Sequence, residues 1–438
     1  MKQFADKDFS LNTKTAESLF RSIGGLPLID FHSRLSVEEI ATNRTFRNIT
    51  ELWLSDEEKL SAMRCHGIDE YYITGEAGDY EKFQKWAETV PNLLGSPLYQ
   101  QTHLELQRFF GIHEPLSPAT AERIWNCTNA QITSDNFTVY HLLQKFNVQL
   151  IGISQDACDS LEYFTKISED GLCPAQVLPI FDLTNAMSIA DQNFNQWLSI
   201  LETVCSQEIT DYSSLQSCLV ERLLFFKSIG SKTAYQTFSG VLTPFATFEQ
   251  ADRAFQKKKK NLALTSQEIA EFQSHLFGFL CKKYRDYGFL AEIEVSDKTV
   301  VNSILYFLET LSSEHPIPKI VLSSNCASTY EKIAKTIFSS PISKDIQVSF
   351  FNEKLYQKNA LRTVLSAISS YGLLPRFFGF SSGSKSLLSY PVHEYFRRIL
   401  ADFIGNLIEQ GEYPNYPELT KKIAENIAYR NAKNSFNL

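Results

Sequence analysis

The sequence predicts an α/β fold, a closed (β/α)8 TIM barrel with a mostly helical insertion after its first strand. Three observations predict it. Eight short apolar runs recur along the chain, longer helical patterns separate them, and the first two runs stand more than a hundred residues apart. A parallel crossover ordinarily takes a few dozen residues, so that first gap must hold additional structure.

The apolar runs lie at 28–32, 148–153, 176–181, 232–236, 292–295, 319–323, 347–351 and 376–380. Short apolar runs alternating with helix-length segments indicate parallel strands joined by crossovers. Eight such units favour a closed barrel over a doubly wound open sheet, which is the alternative. Within the first gap, 38–41, 56–63, 80–89 and 119–126 read as helices. Residues 36–140 are therefore expected to form a helical insertion beside the barrel mouth, within a single domain spanning 1–438. Further helical excursions occupy 193–226 and 248–284. Inside the last of these, Thr265-Ser266-Gln267-Glu268 reads as a capping box opening a new helix. The Lys257 to Lys260 run before it reads as a solvated helix end rather than a phosphate-binding patch. No internal repeat or low-complexity tract interrupts the pattern.

Composition narrows the function classes. With 438 residues, 43% hydrophobic and 21% charged, the chain can bury a large core and is not disordered overall. A formal charge of −8 argues against a nucleic-acid partner. No stretch approaches the ~18 apolar residues of a membrane span, and residues 1–10 lack the apolar centre of a signal peptide. The eight cysteines (Cys65, Cys127, Cys158, Cys173, Cys205, Cys218, Cys281, Cys326) include no Cys-x-x-Cys pair. That pattern predicts reduced, buried thiols in a cytoplasmic protein and no zinc ribbon.

Several runs carry a family likeness. The strongest is Ser386-Leu387-Leu388-Ser389-Tyr390 followed by His393-Glu394-Tyr395-Phe396-Arg397-Arg398-Ile399-Leu400. Others are Pro97-Leu98-Tyr99 with Thr102-His103-Leu104-Glu105-Leu106 and Phe110-Gly111-Ile112, and Tyr80-Glu81-Lys82-Phe83 with Trp86-Ala87 and Thr89-Val90-Pro91. Ala62-Met63-Arg64 and Ile124-Trp125-Asn126 belong with them. In these runs, which keep their order along the chain, the sequence resembles the uronate isomerases. That branch of the amidohydrolase superfamily interconverts glucuronate with fructuronate and galacturonate with tagaturonate. The resemblance implies a (β/α)8 barrel, in agreement with the strand count.

Moving a proton between C1 and C2 of a sugar acid needs a base, an electrophile on the oxygens and a cation for the carboxylate. The resemblance places those groups at the C-terminal ends of the strands, and there this chain departs from the family. The family's first strand ends in a His-x-His pair that can hold a divalent metal; here it reads Asp30-Phe31-His32-Ser33-Arg34. An arginine has no lone pair for a metal. The Thr-Asp-Ser-Arg-Ser after the eighth strand becomes Ser382-Gly383-Ser384-Lys385-Ser386. A Trp-Arg-Pro run becomes Phe181-Asp182-Leu183, and Ser-Asp-His becomes Ala234-Tyr235-Gln236. The fifth-strand histidine aligns with Glu294, the arginine that follows it is missing from 295–304, and the Trp-Trp pair after the seventh strand is absent.

These departures imply a family member without uronate isomerase activity. Its modified pocket would take a small anionic sugar acid, or the barrel would act as a scaffold for another protein, with a homo-oligomer as a further option. No metal and no other cofactor is implied. The alternative is a metal-free isomerase with His32 or Glu294 as base and Arg34 or Lys385 as carboxylate clamp. A lyase or hydrolase step on a sugar acid is a third option that no constellation singles out. Arg34 stands about where the metal would sit, and Asp182 and Glu294 bring negative charge. Together they predict a buried salt-bridge network around Arg34. His103 and His393 read as packing residues, Glu394 with Arg397 and Arg398 as pairs along one helix. The 382–386 run reads as a plain strand-to-helix turn, with a phosphate cradle as the alternative.

Overall fold

The computed structural model describes residues 4–134, 137–351 and 357–438. Eight parallel strands run in chain order: β1 Leu28–Ser33, β2 Val148–Asp156, β3 Gln176–Asp182, β4 Thr233–Phe238, β5 Leu290–Val295, β6 Ile320–Ser324, β7 Ile346–Phe351 and β8 Gly379–Ser381. The ring closes from β8 back to β1. The His32 amide donates to Ser381 Oγ (2.8 Å), the Gly383 amide to the His32 carbonyl (3.0 Å), and the Arg34 amide to the Ser384 carbonyl (3.0 Å). Each of the eight expected runs contributes a strand, and the barrel is the fold.

The eighth strand is the one that shifts. Residues 376–380 were expected extended, yet Leu374–Arg376 form a 3-10 turn and the strand starts at Gly379. Pro375 cannot donate to a ladder, and Gly379 (φ +127°) turns the backbone as only glycine readily does. A second glycine sets the spacing of β1 and β2. A Cβ at Gly152 would stand 2.1 Å from the Phe31 carbonyl oxygen, so no side chain fits.

Inside the barrel, Ile29, Phe31, Leu150, Leu178, Ile180, Leu290, Val321 and Phe378 form an apolar plug, with Tyr235 and Phe351 in the same cluster. The C-terminal helix Asn431–Phe436 adds Ala432 and Phe436 to this cluster, and Phe436 meets Phe378 edge-on. Alternation along each strand sends the other residues outward into the larger core beneath the helices.

Between β1 and β2 lie, among the described residues, seven α-helices: Val37–Ala41, Ile49–Trp53, Glu57–Cys65, Asp79–Thr89, Pro97–Phe110, Ala121–Ile132 and Val139–Lys145. The four expected ones are among them. Pro97–Phe110 starts on a Ser96 cap with proline in its first turn and stops at Gly111 in the left-handed conformation. Arg108 on that helix grips Glu394 of helix Pro391–Glu409 with two bonds of 2.7 and 2.8 Å. Arg398 holds the same carboxylate at 2.9 Å. The expected Arg397 pairing does not form. Arg397 is buried and points to the carbonyls of Gly24, Leu26 and Pro27, which would otherwise lack partners where the chain enters β1.

The excursions form two helix pairs, Phe194–Cys205 with Tyr212–Ser228 and Phe248–Lys259 with Ser266–Tyr287. The capping box at Thr265 is present, and Lys257 bridges to Glu268 at 2.7 Å. The lysine run is thus the last turn of a helix. Cys205, Cys218 and Cys281 are buried as expected, whereas Cys65 and Cys127 are exposed on insertion helices. Among the described residues no helix is long and apolar enough to cross a membrane.

Candidate functional site

The C-terminal ends of the strands form the barrel mouth, where β1 and β5 place the first titratable pair. His32, the next-to-last residue of β1, is 1% exposed, and its Nδ1 lies 2.8 Å from Glu292 Oε2 on β5. The imidazole stacks on Phe351 (centroids 4.2 Å apart, planes 18° apart) and meets Tyr235 edge-on at 4.7 Å. Burial raises the Glu292 carboxyl above its ordinary range, and His32 only partly reverses that.

A second pair lies next to it. The Tyr235 hydroxyl donates to Glu294 Oε2 at 2.7 Å. Burial pushes the phenol up first, and the charges of Glu294 and Asp182 add to it while Arg34 opposes them. β5 delivers both glutamates because its period of two sends Ala291, Ile293 and Val295 to the outer core and the residues between them inward. Glu292 Oε1, Ser323 Oγ and Ser349 Oγ are buried without a protein partner among the described residues.

The other residues singled out from the sequence are spread around this centre. Asp182 accepts from Ser154 Oγ (2.6 Å) and from the Thr184 amide (2.8 Å), so it caps the turn after β3. Arg34 and Lys385 are exposed. Among the described residues neither has a carboxylate within 4 Å, and the expected pairing of Arg34 with Asp182 or Glu294 is corrected. A guanidinium in water needs no buried counter-ion, and the two carboxylates have found hydroxyl and amide donors instead. Arg34 reaches the centre only through space, by its effect on Tyr235.

The 382–386 loop is a turn, and the amides of Ser382, Gly383, Ser384 and Ser386 are already used. Ser382 donates to Asp30 from its amide (2.6 Å) and its hydroxyl (2.7 Å), and Ser381 Oγ adds a third bond at 2.5 Å. The Ser384 and Ser386 amides bond to Ser382 Oγ and Ser384 Oγ. An internal carboxylate thus occupies the donors that a phosphate would need. Burial works to raise Asp30, but His393 and the serine donors outweigh it and leave the carboxyl below its ordinary range. His393 Nε2 is 3.4 Å from Asp30 Oδ1, close for charge but not aligned for a hydrogen bond. His103 packs locally, between the Tyr99 carbonyl (2.7 Å) and the Leu116 amide (2.9 Å).

A divalent metal does not fit these residues. His32 commits one nitrogen to Glu292, Arg34 has no lone pair, and Gly383 has no side chain. Among the described residues no three His, Cys, Asp or Glu side chains converge as a ligand set. Residues 352–356, where the tryptophan pair is missing, lie outside the described residues. Sequence reasoning missed Glu292, Tyr235 and Phe351. The alternation of 290–295 was the available signal for Glu292, since it places that residue on the same face as Glu294.

Comparison with known proteins agrees with this architecture. The glucuronate isomerase family model matches residues 1–297 and 293–436. A uronate isomerase of Caldanaerobacter subterraneus subsp. tengcongensis is 35% identical over 466 residues, covering 99% of both chains. One from Bacillus subtilis is 34% identical over 467 residues, covering 100% of this chain and 98% of the relative. Among solved structures, uronate isomerase from Thermotoga maritima superimposes with a TM-score of 0.92 at 22% identity, covering 99% of this chain and 100% of that one. Glucuronate isomerase from Caulobacter crescentus gives 0.90 at 16% identity, covering 99% and 97%. At those identities the structural likeness concerns the fold.

Proposed function

The chain belongs to the glucuronate isomerase family, and we propose that this member has given up the isomerisation and keeps its mouth as a binding surface for a small sugar-acid anion. The observation that carries this reading is the closed state of the barrel centre. His32 is tied to Glu292, covered on one face by Phe351 and buried to 1% exposure, so no sugar carbon can approach its ring without moving Phe351 or Tyr235. Binding remains open because Arg34 and Lys385 are exposed cations at the mouth. A scaffold for a partner protein would use the same surface.

A second reading rests on one observation. A histidine oriented by a carboxylate, beside a tyrosine bonded to another, is a pairing that general acid–base chemistry can use without a metal. In that reading His32 is the base, Glu292 orients it, and Arg34 or Lys385 clamps the carboxylate.

A coupled assay with glucuronate and with galacturonate separates the readings. No turnover is expected, because losing each catalytic group costs ~10²-fold or more. Turnover of about 1 to 10³ per second would overturn the proposal. If that turnover persisted in chelator and vanished in His32→Ala, the metal-free isomerase would replace it.

A further inference from the structure

At the opposite, N-terminal end of the barrel a cavity of about 530 Å³ opens between the loops leading into β4, β5 and β6 and the C-terminal helix. Among the described residues, four cationic side chains line it, Lys227, Lys232, Arg285 and Lys319, and no aspartate or glutamate does. In a chain of net charge −8 this is a local inversion of sign. Arg285 and Lys319 also border an adjoining cavity that Glu309 and Asp345 help to line, but neither acid lines this one, where like charges share a concave wall that concentrates their field.

Two of the cations are already engaged. Lys232 Nζ donates to the Phe436 carbonyl, and Lys227 Nζ stands 5.4 Å above the Tyr287 ring. Arg285 and Lys319 have no carboxylate within 4 Å among the described residues, and both are exposed. Asn434 and Asn437 of the helix end add neutral donors at the rim, and Tyr287 adds an aromatic wall. The volume lies in the range of small-ligand sites, roughly 300–1,000 Å³.

We propose that this cavity is a second ligand site, distinct from the mouth, for a small phosphate-bearing anion of charge −2 or more. Arg285 offers a planar fork to two phosphate oxygens, and Lys319 and Lys227 supply point charges around them. A ligand held there joins the loops before β5 and β6 to the helix whose Phe436 plugs the barrel, so binding fastens that helix. Recognition rests on charge, so affinity weakens steeply with salt.

Isothermal titration of the full chain with inorganic pyrophosphate at low salt tests the site. Saturable one-site binding with a Kd below about 1 mM is expected, together with a rise in Tm. In Arg285→Glu/Lys319→Glu the affinity should fall at least ~10-fold, while Tm without ligand stays near that of the parent because both side chains are exposed. Arg34→Met/Lys385→Ala should bind pyrophosphate as the parent does, which separates this site from the mouth. No saturable binding up to about 10 mM, equal binding by the charge-reversed variant, or loss only in the mouth variant would each overturn the proposal.

Discussion

The insertion and the barrel centre each bury charge, and they do so in opposite ways. In the insertion Lys59 is fully buried, 3.0 Å from Asp56 and 3.6 Å from Glu105, so one permanent cation serves two carboxylates. Burial works to lower the lysine, but the two acids outweigh it and hold it above its ordinary value. Burial, with Asp56 adding to it and Lys59 opposing, pushes Glu105 up to about 7. In the barrel the partner of the buried acid is a histidine, with His32 Nδ1 2.8 Å from Glu292 Oε2, and no lysine or arginine takes part in that contact. Of the lysine network, Glu105 lies in a run that resembles the family, Thr102 to Leu106, while Asp56 and Lys59 stand just before Ala62-Met63-Arg64. The His32–Glu292 pair lies on β1 and β5, strands whose ends depart from the family's pattern in sequence.

The largest expected effect comes from removing the fixed charge. Lys59→Met leaves Asp56 and Glu105 buried together without a cation, and unfolding in urea should show a loss of ~3–5 kcal/mol. A loss under about 1 kcal/mol would mean that water reaches the network, and the contrast with the barrel would collapse.

The next effect is a pH dependence. The folded protein holds the Glu105 proton up to about pH 7, whereas the unfolded chain releases it near 4.5. Below 4.5 both states are protonated. Between 4.5 and 7 the folded state binds more protons, so stability falls as pH rises, by ~1–3 kcal/mol in all. Glu105→Gln should remove that fall, read from urea midpoints at pH 5 and pH 8. An unchanged pH profile in the variant would assign the dependence elsewhere.

Much of this was legible in the sequence, and the failures have physical causes. Strand periodicity marked the barrel because alternation and crossover length are local properties. The capping box at Thr265 and the helix end at Lys257 were legible for the same reason. The partner of His32 was not. Glu292 and Glu294 share a face and a residue type, and only the closure of the ring decides which lies deep enough to meet β1. Arg34 was misplaced by analogy, since it follows the last residue of β1, where the chain bonds to Ser384 and turns outward. Asp30 and His393 meet across 363 positions, a contact that no local pattern encodes.

The barrel pair itself offers a finer test. In a double-mutant cycle of His32→Ala and Glu292→Gln, a coupling of ~1–2 kcal/mol is expected from a buried, well-aligned bond. Coupling near zero would show that stacking on Phe351, rather than the Glu292 bond, holds the ring.

The smallest expected effect concerns Arg34 and decides whether the mouth is for binding. If its guanidinium were paired inside the barrel, Arg34→Met would strand a carboxylate and cost ~3 kcal/mol or more. Here the side chain is exposed, Asp182 is satisfied by Ser154 and Thr184, and Glu294 by Tyr235. The substitution should therefore change stability by no more than ~0.5 kcal/mol, as for surface positions in general. It should still weaken capture of a sugar-acid carboxylate, because it removes an exposed cation at the mouth. Calorimetry with glucuronate on parent and variant, beside their urea midpoints, reads both quantities at once. A large stability loss would restore the buried network, and unchanged glucuronate binding would remove Arg34 from the mouth's function.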